Sequence, residues 1–209
     1  KPNKMQVAFV KNVMEMRAQH IDRALLLSST GTGKSLASAF MLREMGTRRA
    51  LFIVHREQIA KQTLKSYKRV FGSSRTYGLL SGNSRELRAE FLFATMQMMS
   101  KEEIRSHYSP EDFDVIILDE CHHVGAESYQ KIMQYFKPKF WLGMTASPDT
   151  NQYDIYSIFD HHIAYEIRLQ QALEEDLLCP FHYFGITDLE INGEVFDDNA
   201  GVKNFSNLI

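Results

Sequence analysis

The sequence predicts an α/β domain whose central sheet is mostly parallel and covered by helices on both faces. Three observations carry this expectation. The strand candidates are short, continuously apolar runs rather than alternating ones, the pattern of strands buried on both faces. Helical stretches separate these runs, so right-handed crossovers are expected between parallel neighbours. A glycine-containing turn joins the first apolar run to the helix that follows it.

Taken in order, Pro2 to Gln19 reads as an amphipathic helix with Met5, Phe9, Val13 and Met16 on one face and Pro2 suited to its first turn. Ala24 to Leu27 is the first buried strand. A helix from Lys34 to Met45 follows, with Gly46 as its stop. Ala50 to Val54 is the next strand and Gln58 to Phe71 the next helix. Tyr77 to Leu80, Phe91 to Ala94, Val115 to Leu118 and Phe140 to Met144 are four further strands. After Asp149 the texture changes. Tyr153 to Ile163 is aromatic and weakly patterned, Leu169 to Leu178 reads as a short acidic helix, and Phe181 to Ile186 as a strand. The tail from Asn192 to Ile209 reads as the start of a connection to a further region.

The 209 residues, 44% hydrophobic and 24% charged, have ordinary globular composition and exclude a disordered tail or a disulfide-stapled miniprotein. No stretch reaches the roughly 18 apolar residues that span a bilayer, and no basic-then-apolar leader opens the chain. Lys1 rather than Met in first place predicts a piece of a longer protein. Two cysteines, Cys121 and Cys179, fit a reducing, cytoplasmic compartment better than an oxidising one. The net charge of −2 hides an asymmetry: Arg43 to Arg75 holds nine Lys and Arg against two Asp and Glu, whereas Asp149 to Asp198 holds one Arg against twelve Asp and Glu. A locally basic surface can attract a phosphate backbone, although solvated helix faces account for the same pattern.

The strongest local signal is Ser28-Ser29-Thr30-Gly31-Thr32-Gly33-Lys34-Ser35, placed after an apolar strand and before a helix. Gly31 and Gly33 allow the backbone to curl so that successive N–H groups of Thr30 to Ser35 point at phosphate oxygens. The helix beginning at Lys34 aims its positive end at the same anion. Lys34 can reach the β- and γ-phosphates of a nucleoside triphosphate, and the Ser35 hydroxyl can ligate Mg²⁺. The strict pattern has glycine where this chain has Ser28.

The second signal is Val115-Ile116-Ile117-Leu118-Asp119-Glu120-Cys121-His122-His123. Carboxylates at the end of a buried strand are costly unless they have a task or a partner. Asp119 is placed to hold Mg²⁺ and Glu120 to polarise the water that attacks the γ-phosphate. A zinc site built from Cys121, His122 and His123 is a rival reading, but consecutive ligands are geometrically awkward and no second pair has zinc spacing. A Cys nucleophile beside a His is a weaker rival still.

These two motifs, in this order, resemble the first RecA-like ATPase domain of superfamily 2 helicases, with Asp119-Glu120-Cys121-His122 as the DExH box. Other pieces fall in the expected order over Pro2 to about Pro148. Pro2 to Gln6 is similar to the upstream motif whose glutamine reads adenine, which implies Gln6 in that role. Val54 to Gln62 is similar to the motif after the second strand, and Phe93 to Gln97 to the following nucleic-acid-facing motif, implying contacts from Arg56, Thr95 and Gln97. Gly143 to Pro148 resembles the motif that couples hydrolysis to movement, implying roles for Thr145, Ser147 and, linked to them or to the γ-phosphate side, His122. The double histidine and the Thr145-Ala146-Ser147-Pro148 run look most like the type I and type III restriction-subunit branch.

The resemblance implies a RecA-like, P-loop, three-layer sandwich over residues 1–165 and a C-terminal extension over 166–209 leading toward a second RecA-like domain absent from this chain. It implies ATP and Mg²⁺ as cofactors, and nucleic acid as partner, DNA in single- or double-stranded form on the restriction-like resemblance. A nuclease domain or subunit is a further implied partner, and no membrane is involved. The second domain would supply the arginine fingers, so the isolated fragment is expected to bind ATP weakly and hydrolyse it poorly. Two rivals stand beside an ATP-driven motor: a nucleotide-dependent switch that binds nucleic acid without separating strands, and an unrelated phosphate-loop enzyme such as a small-molecule kinase or a GTPase. Against the last, the guanine-reading Asn-Lys-x-Asp pattern is absent from the sequence.

Overall fold

The six apolar runs expected as strands between Ala24 and Met144 all belong to one sheet. The computed structural model describes residues 2–29, 31–121, 127–146, 155–167, 190–191 and 194–195. Its chain divides into two compact units, Lys1–Leu178 and Cys179–Ile209. The first unit contains strands β1 (Arg23–Ser28), β2 (Ala50–Val54), β3 (Tyr77–Leu80), β4 (Phe91–Thr95), β5 (Val115–Asp119), β6 (Phe140–Thr145) and β7 (Ile163–Ile167). They form a seven-stranded sheet in the order β3-β4-β2-β5-β6-β1-β7, and every neighbouring pair is parallel. In the second unit the described residues are a short antiparallel pair, β8 (Glu190–Ile191) with β9 (Glu194–Val195).

Because successive strand residues point to opposite faces, continuous apolar strands feed two cores. Ala24, Leu26, Phe52, Ile117 and Leu142 face one layer, in which α1 (Lys4–Ala18), α2 (Lys34–Glu44) and α3 (Glu57–Phe71) contribute Met5, Phe9, Val13, Met41 and Tyr67. Leu25, Leu27, Leu51, Ile116 and Trp141 face the other, covered by α4 (Met96–Met99), α5 (Glu102–Arg105), α6 (Glu127–Tyr135) and α7 (Ile155–Ile158). This is the expected three-layer α/β sandwich. Gly143 makes the second layer possible: a Cβ there would meet Phe159 Cζ at 2.6 Å and Leu25 Cδ2 at 2.8 Å.

Three differences from the sequence expectation have physical causes. First, α1 begins at Lys4 rather than Pro2, because the Asn3 side chain accepts from the Gln6 backbone N–H and ends the extended segment there. Second, α4, α5 and α7 have only four residues each, too few to display helical periodicity. Third, β7 lies at the sheet edge with Glu166 exposed between half-buried and buried neighbours, so it lacks a continuous apolar run. The helix expected over Leu169 to Leu178 and the strand over Phe181 to Ile186 lie outside the described residues. Among the described residues no helix is long and apolar enough to cross a membrane.

Candidate functional site

Parallel strands end together, so the residues that follow them are gathered along one edge of the sheet. The strand order places the ends of β4, β2, β5, β6 and β1 in one row. Register fixes the neighbours: Val54 lies beside Thr95, Asp119 beside Met144, and Leu27 beside Thr145. The same edge therefore presents Thr95, the His55-Arg56 turn, the Asp119-Glu120 pair, Thr145 and the loop that begins after Ser28.

The loop is held from both sides. Gly31 has φ 88° and Gly33 φ 93°, values that favour glycine. Gly33 is the N-cap of α2 and has no side chain to occupy the helix end. Ser28, standing where the strict pattern has glycine, is buried in β1 and its Oγ lies 2.5 Å from Thr32 Oγ1. Thr32 Oγ1 in turn donates to the Ser29 carbonyl at 2.8 Å. The serine thus replaces conformational freedom with a cross-link at the base of the loop. From outside, Asn3 Nδ2 donates to the Thr32 carbonyl at 3.4 Å and Gln6 Nε2 to the Gly33 carbonyl at 3.3 Å. Gln6 Oε1 accepts from the Asn3 N–H at 2.9 Å, so both ends of its buried amide are engaged. Asn3 was not singled out from sequence, although Asn-x-x-Gln ahead of an apolar helix is a capping-box pattern. Thr30 lies outside the described residues.

Lys34 opens α2 and folds back, donating from Nζ to the carbonyls of Ser28 at 2.7 Å and Ser29 at 3.2 Å. Burial pulls its ammonium below the ordinary lysine value, opposed by the charges of Glu120 and Asp119. Ser35 is half-buried in the first turn of α2. Asp119 is the last residue of β5, and burial lifts its carboxyl to about 6, with Glu120 adding to the rise and Lys34 opposing it. Glu120 has φ 51°, a left-handed conformation that costs a non-glycine residue on the order of 1–3 kcal/mol. Strain at the acidic strand end marks it as held by its surroundings. Cys121 is buried in the second core and burial pushes its thiol up, which removes the nucleophile reading. No group of three metal-ligating side chains is gathered among the described residues; His122 and His123 lie outside them.

The outlying residues fall into two kinds. Thr145 is wholly buried at the end of β6, and Thr95, at 7% exposure, ends β4 and is the N-cap of α4. Arg56, the N-cap of α3, and Gln97 in α4 are exposed on the same edge. Ser147 lies outside the described residues. Lys61, Lys65 and Lys68 lie on the exposed face of α3, with Lys61 paired to Glu57 at 2.5 Å. Two residues that sequence reading passed over belong to this edge: His55 and Tyr129. Tyr129 Oη donates to the Asp119 carbonyl at 3.2 Å and lies 3.2 Å from His55 Nε2. No sequence signal marks this contact, because its partners come from three separate elements.

With that geometry in place, the family model described as "Type III restriction enzyme, res subunit" matches residues 1–150. An endonuclease subunit of the Escherichia coli type I restriction enzyme EcoAI is 27% identical, over 94% of this chain and 27% of its own length. The mouse ATP-dependent RNA helicase DHX58 is 28% identical over 58% of this chain and 22% of its own. This chain thus spans about a quarter of the length of these relatives. Among solved structures, a nuclease-deletion mutant of the type ISP restriction-modification enzyme LlaGI, in complex with a DNA substrate mimic, superposes with a TM-score of 0.66 at 20% identity, over 85% of this chain and 21% of that one. The Hef helicase domain of Pyrococcus furiosus superposes with a TM-score of 0.58 at 20% identity, over 72% and 35%. The fold is RecA-like.

Proposed function

The chain belongs to the family of type III restriction enzyme res subunits, and from that premise we propose that it is the first ATPase domain of a DNA-dependent translocase or helicase. The observation that carries this reading is a single charge arrangement. One lysine at the phosphate loop feels two carboxylates at the end of β5, one of them raised to about 6 by burial. Such a site has one negative charge too many and favours a cation beside the carboxylates. Ser35 and Asp119 would hold Mg²⁺, which when bound offsets the charge on the β- and γ-phosphates.

The chain's own residues divide the remaining work. Gly31, Thr32 and Gly33, with Thr30, turn backbone N–H groups to the phosphates. Lys34 exchanges the Ser28 and Ser29 carbonyls for phosphate oxygens. Gln6 serves the nucleotide site through the loop it braces. Glu120 orients the attacking water and takes up its proton. Thr145, Ser147 and His122 relay occupancy of the site to the rest of the domain. Arg56, Thr95 and Gln97 face the nucleic-acid backbone, which suits a motor indifferent to sequence. Residues 166–209 lead toward a second RecA-like domain that supplies the arginine fingers, so the isolated chain binds ATP weakly and turns it over slowly. The restriction-enzyme relatives support DNA rather than RNA as the track, and a nuclease domain or subunit alongside. The test is phosphate release by the full-length protein with duplex DNA, single-stranded DNA and RNA of equal length. Stimulation by DNA is expected; stimulation by RNA alone would reassign the track.

A further inference from the structure

We propose that Tyr129 is a positioning residue that ties the conformation of Glu120 to the nucleic-acid-facing turn after β2, an inference that rests on the function proposed above. Tyr129 is wholly buried, and its ring packs edge-on against the His55 ring with centroids 5.7 Å apart. A tyrosine hydroxyl has one proton to donate and an oxygen that can accept. That one proton goes to the Asp119 carbonyl, at 3.2 Å, which can only accept. The tyrosine oxygen is then the acceptor for His55 Nε2, also at 3.2 Å, which fixes a hydrogen on that nitrogen.

Both ends of this relay matter. The Asp119 carbonyl belongs to the peptide that leads into Glu120, and the orientation of that peptide sets the left-handed φ of 51° at the proposed catalytic carboxylate. His55 immediately precedes Arg56, the exposed N-cap of α3. A nucleic-acid backbone that pulls on Arg56 therefore moves a ring hydrogen-bonded to the residue that holds the Glu120 peptide. A phenylalanine would fill the same core; the hydroxyl is what the relay adds.

The experiment uses the full-length protein and measures ATP turnover with and without a duplex DNA fragment. Tyr129→Phe is expected to lower the ratio of stimulated to basal turnover about tenfold, the scale of one lost buried hydrogen bond, while KM for ATP stays where it was. His55→Ala is expected to do the same, His55→Gln to restore most of the ratio because its amide can still donate, and the double variant to be no worse than either single one. Thermal melting checks that each variant is folded, and His55, only half-buried, keeps the test open if Tyr129→Phe unfolds. An unchanged ratio in folded Tyr129→Phe or His55→Ala, or losses that multiply in the double variant, overturns the inference. Glu120→Gln, run alongside, separates the two levels: if it abolishes turnover while Tyr129→Phe keeps full stimulation, only the relay is wrong. Wild-type turnover indifferent to nucleic acid overturns relay and proposed function together.

Discussion

The phosphate loop and the acidic strand end lie along one sheet edge but are built in opposite ways. The loop is held mainly by its own neighbours: Ser28, Ser29, Thr32 and Lys34 bond to one another within six residues, and Asn3 and Gln6 brace it from α1. The acidic end draws on a residue distant in sequence. Asp119 and Glu120 carry like charges, one buried and one in a left-handed conformation, and the Asp119 carbonyl is held by a tyrosine from α6. A site whose halves differ this way can keep a fixed phosphate cradle while its hydrolytic half responds to what happens elsewhere on the edge.

Four experiments break or sharpen that contrast. The largest effect falls on the loop. Lys34→Ala removes the cation that faces the phosphates, and turnover by the full-length protein is expected to fall on the order of 10³-fold or more in a phosphate-release assay. Next comes the acidic end, where function costs stability. Asp119 ionises at about 6 in the folded chain against an ordinary 3.8, so the native state holds this proton more tightly than the unfolded one. In metal-free buffer the stability contributed by that proton is complete below about pH 4, is lost as the pH rises to about 6, and then levels off. Asp119→Asn is expected to flatten this slope and to be more stable at pH 8 by about 1–3 kcal/mol in urea denaturation, while losing Mg²⁺-dependent turnover.

A third, comparable effect comes from the backbone of the loop. At Gly33, with φ 93°, an alanine Cβ would sit 2.7 Å from Gln6 Nε2. Gly33→Ala is expected to weaken ATP binding by about 1–3 kcal/mol, measured by titration calorimetry. The smallest is Gln6→Ala, which removes the brace and is expected to weaken ATP and GTP alike by about 1 kcal/mol. A loss confined to ATP would instead assign the amide to the base, as the helicase resemblance implies.

The contrast between the two ends also explains what the sequence could reveal. Strand β2 was legible to the residue, because a buried parallel strand must be apolar throughout and must end where polar residues resume. The loop was legible for a related reason: its chemistry is written in consecutive residues. Ser28 departs from the glycine pattern, yet strand, turn and helix still surround it, and only the structure shows the Thr32 bond that compensates. The Asp119-Glu120 pair stood out because carboxylates rarely end an apolar strand. Its supports were not visible. Tyr129 looks like any helix aromatic, and its contact with His55 spans 74 residues of sequence. Likewise β7 was lost because the exposed Glu166 interrupts its apolar residues. The basic excess between Arg43 and Arg75 resolves in part into structure, with Arg49 paired to Asp112 at 3.6 Å and Lys61 to Glu57.

The most direct test of the central claim is Glu120→Gln in the full-length protein, with ATP affinity and steady-state phosphate release measured on the same preparation. The substitution keeps the side-chain shape and removes the base. ATP binding is expected to persist within a few-fold and DNA-stimulated phosphate release to fall by about 10²–10⁴-fold. Turnover equal to that of the wild type would contradict it.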